Sequence, residues 1–187
     1  IMKPNQPGKS HLHMFYGNTG TNGNSTSDSI INSGGSTCDG NEANRTAYWF
    51  PTVHDAQGRV RLPSGMVVYY KTEGVPKPAG GYADIPQGLK LIAGNASATA
   101  PQAASYNNGW GCGNMFINPN SALIPNCANT TATGEALMLK VHFPRCWDGS
   151  FDFDPTQPQK HVAYEVGGKC TTSNPIAFTG ITVLFDW

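Results

Sequence analysis

Charge is what this sequence has least of. Asp, Glu, Lys and Arg make up 13% of its 187 residues, against about 25% in an ordinary globular domain. Twelve basic and twelve acidic residues cancel, and no run of either sign stands out. A nucleic-acid partner therefore has no electrostatic footprint here. No apolar stretch approaches the ~20 residues that a membrane-crossing helix needs, so no membrane span is expected. No secretory leader is visible, and the chain opens on Ile1-Met2-Lys3-Pro4 as a processed protein or a trimmed fragment would. No Cys-x-x-Cys pair occurs, which argues against a zinc ribbon or a thioredoxin motif. Also missing are a Gly-x-Ser-x-Gly elbow, a phosphate loop, a dinucleotide fingerprint, a long amphipathic helix and any internal repeat.

What is present points to strands and turns. The chain holds 22 Gly and 14 Pro with many Asn, Ser and Thr, a mixture that disfavours long helices and suits short strands joined by turns. Strand patterns fall at residues 10–17, 47–53, 65–71, 89–94, 136–144, 161–166 and 181–187. Residues 18–40 read as a long polar loop with a short helical turn near Asp28 to Ile31. Residues 109–113 read as a tight segment anchored by a cystine, and residues 152–160 as an acidic, Pro-bearing loop. The expected fold is mainly all-β, an antiparallel β-sandwich or jelly-roll-like arrangement with long irregular loops. Length and the lack of a clear boundary make residues 1–187 a single domain, a possible piece of a longer secreted chain.

Five cysteines, Cys38, Cys112, Cys127, Cys146 and Cys170, lie in a polar, sequon-bearing sequence, where disulfides are the natural use of the thiols. Two bridges and one spare admit about fifteen arrangements. The preferred one pairs Cys112 with Cys127 and Cys146 with Cys170, each closing a modest loop worth on the order of 3 kcal/mol. Cys38 is then left free or paired outside this chain. Asn24, Asn44, Asn95 and Asn129 each begin an Asn-x-Ser/Thr sequon, which permits glycosylation in a secreted chain.

The residues that carry chemistry are few. His11-Leu12-His13 puts two imidazoles two residues apart, and on a strand that spacing gives them one face. Extended His-x-His segments supply two ligands to one metal in this way. His161 is the first choice for a third ligand and Asp148 for a carboxylate. Imidazole with carboxylate suits a divalent transition metal, zinc or copper, better than calcium. A second set is aromatic and basic: Arg45, Tyr48, Trp49, Tyr69, Tyr70 and Lys71. Such side chains stack on sugar rings and bond their hydroxyls or carboxylates. A His, Tyr and Arg or Lys set on a sheet also suits proton abstraction beside a uronate carboxylate. The catalytic candidates are thus His11, His13, His161, Asp148, Tyr70, Lys71 and Arg45. The competing reading is plain: the histidines bond neighbouring loops, and strand alternation buries about half of the aromatics as core.

Several blocks together resemble a known family. They are the run from Pro4 to Asn18, the run from Asn44 to Pro51, Val68-Tyr69-Tyr70-Lys71, Pro86-Gln87-Gly88-Leu89, the run from Phe143 to Gly149, and His161-Val162-Ala163-Tyr164. In this order they resemble a secreted family of fungi and bacteria catalogued as a domain of unknown function, often found beside WSC or lectin-like sugar-binding modules. The resemblance implies a secreted, extracellular protein whose partner is a polysaccharide or cell-wall glycan. It adds weight to His11, His13, Asp148 and His161 as a shared site, and to Arg45, Tyr70 and Lys71. One departure stands out. The family pattern Asp-x-x-Asp-His-x-Ser-His after the Cys-Trp-Asp-Gly turn keeps here only its last histidine, His161. Two further readings stay open beside a glycan-associated domain with a His-centred metal site. One is a metal-dependent carbohydrate-active enzyme. The other is a structural, self-associating extracellular protein, which the low charge would favour.

Overall fold

A computed structural model describes residues 6, 8–40, 43–72, 81–95, 98–102, 108–113, 122–127 and 136–187. The chain separates into two compact units, Ile1–Leu62 and Pro63–Trp187. The fold is mainly β, with antiparallel strand pairing, long irregular loops and two disulfides, as the composition predicts; its sheets do not close into a barrel.

In the first unit, β1 (His13–Gly17) pairs antiparallel with β2 (Ala47–Pro51), and the two-residue strands β3 (Val53–His54) and β4 (Val60–Arg61) form a hairpin. The long polar loop between β1 and β2 carries α1 (Ser27–Asn32). Thr26 caps this helix: its hydroxyl accepts from the Ser29 N–H at 3.1 Å while the Ser29 hydroxyl accepts from the Thr26 N–H at 2.9 Å. The buried Asn18 amide then ties the loop down, donating to the Ile30 and Ser33 carbonyls at 2.8 and 2.9 Å. Those carbonyls lie at the helix C-terminus, where the helix itself has no donor for them.

In the second unit, β5 (Gly65–Lys71), β11 (Gly180–Asp186), β7 (Leu137–His142) and β6 (Asn108–Cys112) lie side by side in that order. A smaller sheet has the order β10 (Ile176–Ala177), β8 (Cys146–Trp147), β9 (Val162–Ala163). β11 pairs along its whole length with β5 and is buried from Gly180 to Phe185. Burial on both faces explains why Ile181-Thr182-Val183-Leu184-Phe185 reads as a continuous run rather than an alternation. Ile181, Val183, Leu184 and Phe185 join Val162, Cys146 and Phe178 in the core.

Both expected disulfides are formed, Cys112–Cys127 and Cys146–Cys170, and Cys38 is a free thiol. Three expectations are corrected. Residues 89–94 do not form a strand. Side chains take their carbonyls instead of a neighbouring strand: His161 Nε2 meets the Lys90 carbonyl at 2.7 Å, and the Gln159 amide donates to those of Ile92 and Gly94 at 2.8 and 3.1 Å. Gly94, at φ +80°, also leaves the extended region. The expected strand at 161–166 shrinks to β9. The segment at 109–113, expected as tight and cystine-anchored, is anchored by the Cys112–Cys127 bridge but lies largely in the extended edge strand β6. No described helix is long and apolar enough to cross a membrane.

Candidate functional site

The β1–β2 register sorts the first unit's aromatics by face. Met14 lies opposite Phe50, and Tyr16 opposite Tyr48. Tyr48 and Phe50 are buried, and Tyr16 stacks on Phe50 with ring centres 6.0 Å apart. This is the core face. The other face carries His13 opposite Pro51 and Phe15 opposite Trp49. Phe15 is 51% exposed, and the His13 ring meets Trp49 edge to face at 4.8 Å. His11 precedes the strand, its ring centre 6.0 Å from that of His13. Burial, and then the charge of His11, lower the pKa of His13. A lone pair on neutral imidazole is the form that ligates a metal. Arg45 lies elsewhere in this unit, its Nη1 donating to the Ile31 carbonyl at 2.9 Å at the end of α1. A cation there complements the exposed carbonyls of the helix end.

In the second unit, His161 is 1% exposed. Besides its contact with Lys90, its ring stands edge-on to Phe153 at 6.1 Å, and its Nδ1 has no hydrogen-bond partner among the described residues. Asp148 is exposed, and its Oδ1 closes the turn by accepting from the Ser150 N–H at 2.7 Å. The two residues meet through the backbone, where the Asp148 N–H donates to the His161 carbonyl at 3.1 Å. Tyr70 and Lys71 are sequence neighbours on a strand and so face opposite ways; Tyr70 is exposed and Lys71 half-buried. Among the described residues no group of three or more His, Cys, Asp or Glu is placed to hold a metal ion.

A further polar group lies on the Lys71 face of the large sheet. Tyr69, Thr182 and His142 stand in one row across β5, β11 and β7. His142 Nδ1 is 2.9 Å from the Thr182 hydroxyl, and its Nε2 is 3.8 Å from Glu165 Oε1, an electrostatic contact too long for a hydrogen bond. The His142 backbone is held on both sides, its N–H donating to Asn108 Oδ1 and its carbonyl accepting from the Tyr164 hydroxyl, each at 2.8 Å. Burial pushes the Tyr164 hydroxyl up to about 12. His142, with a smaller effect from Arg145, holds the Glu165 carboxyl below its ordinary range against the opposing pull of burial.

Compared with known families, the chain matches one described as a domain of unknown function (DUF1996), over residues 1–187. The chain belongs to that family. No curated protein and no solved structure matches it.

The DUF1996 label assigns no reaction, so the geometry must carry any reading. Of the predicted residues, the first unit brings together His11 and His13 beside Trp49, while Arg45 braces a helix end. The second brings Asp148 and His161 together at the backbone and turns Tyr70 away from Lys71. Sequence reasoning missed Lys140, His142, Glu165 and Thr182. A signal for two of them existed: Lys140 and His142 interrupt an apolar strand two residues apart, and so share a face. Glu165 had none, since tertiary folding alone brings it to His142.

Proposed function

We propose that this DUF1996 domain is secreted and binds polysaccharide, with the outward face of the β1–β2 hairpin as its sugar platform. The observation that carries this is the sorting of aromatics in one hairpin. Tyr48 and Phe50 fill one face as core, while Phe15 is left 51% exposed across from Trp49 on the other. Trp49 and His13 adjoin the half-exposed Phe15, so this face carries an aromatic cluster rather than one scattered apolar side chain, and clusters of that kind are where binding surfaces form. Flat rings with polar edges suit the apolar face and the hydroxyls of a sugar. The two disulfides accord with an oxidising, extracellular setting.

The test is retention on insoluble polysaccharides such as chitin, cellulose and β-glucan, followed by affinity measurement on soluble oligomers of whichever binds. Loss of the Phe15 ring removes about 1 kcal/mol of stacking, roughly a fivefold weaker Kd. Retention by none of them, or equal affinity for Phe15→Ala, refutes the reading.

The lowered pKa of His13 beside His11 favours a second reading: zinc or copper bound at His11 and His13, with the polysaccharide as substrate of a metal-dependent enzyme. Metal analysis of wild type and His13→Ala tests it. Equal transition-metal content in both, or none in either, ends it.

A further inference from the structure

Asn24, Asn44, Asn95 and Asn129 each open an Asn-x-Ser/Thr motif, and neither the sugar platform nor the histidine pair makes use of them. A glycan is bulky and hydrophilic, so a folded protein keeps one only where the asparagine amide faces solvent and is not needed by its neighbours. Asn129 and the last two residues of the Asn95 motif lie outside the described residues. The Asn24 and Asn44 motifs lie within them, both in the loop between β1 and β2, and the fold treats the two oppositely.

Asn24 is exposed, and its side-chain amide makes no hydrogen bond among the described residues. Other groups hold its turn together. Its own backbone N–H donates to Asn22 Oδ1 at 2.9 Å, the Ser25 N–H donates to the Asn22 carbonyl at 3.1 Å, and the Asn22 N–H donates to the Ser25 hydroxyl at 2.8 Å. The turn therefore stands without the Asn24 side chain. The space beside it is open, since a Cβ built on Gly23 would meet nothing within 4 Å. Thr26 completes the motif and is exposed as well, its hydroxyl capping α1.

Asn44 is half-buried and fully engaged. Its Nδ2 donates to the Tyr48 hydroxyl at 3.2 Å, its Oδ1 lies 3.3 Å from the same hydroxyl, and Oδ1 also accepts from the Thr46 N–H at 3.3 Å. Tyr48 is 8% exposed and belongs to the core of this unit. A Cβ built on Gly40 would lie 3.8 Å from the Asn44 Cβ, so that side is occupied too. A sugar on Asn44 Nδ2 would compete with the Tyr48 hydroxyl for the nitrogen and need the room these neighbours take.

We propose that Asn24 carries an N-linked glycan in the folded, secreted protein and that Asn44, which opens the same motif in the same loop, carries none. The donor is an oligosaccharide held on a polyprenyl diphosphate. Asn24 Nδ2 bonds to the anomeric carbon of the first sugar, the bond from that carbon to the phosphate oxygen breaks, and the amide proton goes to the departing diphosphate. Nothing is oxidised or reduced. The proposal rests on secretion through a eukaryotic pathway and is independent of polysaccharide binding at the hairpin.

The experiment is expression behind an added leader in a eukaryotic secretion host, with peptide mapping of the protein from cells and from medium. Enzymatic release of glycans in heavy-oxygen water converts each glycosylated Asn into a labelled Asp. Because the leader is supplied, the result bears on the site, while fractionation of the native source tests natural secretion separately. The secreted protein carries label at Asn24 and none at Asn44. Asn24→Gln loses the label from its peptide, although Asn22-Gly23, a pair prone to deamidation, remains in it. Thr26→Asp destroys the motif but keeps a good helix cap, so the label is lost while Tm is retained. Thr26→Ser keeps both. The exposed Asn24 side chain holds no contact the fold needs, so Asn24→Gln folds, and its circular dichroism serves as the control. An unlabelled Asn24, a label that persists in Asn24→Gln, or a labelled Asn44 in the secreted protein overturns the proposal.

Discussion

Replacing His161 separates a structural histidine from a ligand. Its imidazole is 1% exposed, 2.7 Å from the Lys90 carbonyl and edge-on to Phe153. In this arrangement Nε2 carries the proton and donates it to the carbonyl. The bond pins residues 89–94, which pair with no strand among the described residues. His161→Leu keeps most of the volume and loses the donor, a cost of about 1 kcal/mol. His161→Ala loses the donor and leaves a cavity as well, a cost of about 3 kcal/mol. The second unit spans residues 63–187, and at this size 1 kcal/mol lowers Tm by about 4 °C. The expected falls are therefore about 4 °C for His161→Leu and about 12 °C for His161→Ala. Thermal unfolding followed by circular dichroism, with and without a strong chelator, is the assay. The chelator leaves every Tm in place if His161 serves the fold. An alanine variant within 2 °C of wild type, measured against about 12 °C expected, would refute the reasoning. So would a chelator that lowers wild type to the level of the variant.

Glu165 has a folded pKa below its ordinary value of 4.5, so its ionised form stabilises the fold above that value and the contribution is lost as pH falls through the lower folded pKa. Urea midpoints measured from pH 6 down to pH 3 should therefore fall, with a shallower slope in Glu165→Gln; parallel slopes would contradict this. Gly17 has φ +84°, and a Cβ there would lie 2.0 Å from the Thr46 carbonyl oxygen. Gly17→Ala should cost more than about 2 kcal/mol in denaturant unfolding, combining a left-handed backbone with a backbone clash. The Cys146–Cys170 bridge closes a separation of 24 residues, so a Cys146→Ala and Cys170→Ala double variant should lose about 3.5 kcal/mol in the chain-entropy treatment. Cys38→Ser, at an unbridged thiol, should stay within about 0.5 kcal/mol of wild type by the same measurement.

Much of the fold was legible locally. Gly65 to Lys71 and Ile181 to Asp186 read as strands because β-branched and aromatic residues run without a breaker, and both are strands. The helical turn near Asp28 was legible too, and the structure adds the Thr26 and Ser29 side chains that cap its start. The pattern misled at residues 89–94. Leu89-Lys90-Leu91-Ile92 alternates like a strand, yet it pairs with no strand among the described residues, and side chains from His161 and Gln159 take its carbonyls. Local sequence carries no record of such distant donors.

The candidate sites divide in the same way. His11 and His13 were visible because proximity in sequence is proximity in space over two residues, and their rings lie 6.0 Å apart. The disulfide pairs were within reach because short loops close with the least loss of chain entropy. By itself, then, the sequence determined the class: low charge, abundant turn residues and paired cysteines admit a disulfide-held β protein and little else. Which polar side chains share a face was decided by pairing register. Lys71, Lys140 and His142 share a face only because β11 lies between β5 and β7 in this register, and Glu165 reaches His142 only through the folded chain. Register depends on long-range backbone hydrogen bonds, and a shift of one residue would send every one of these side chains to the other face.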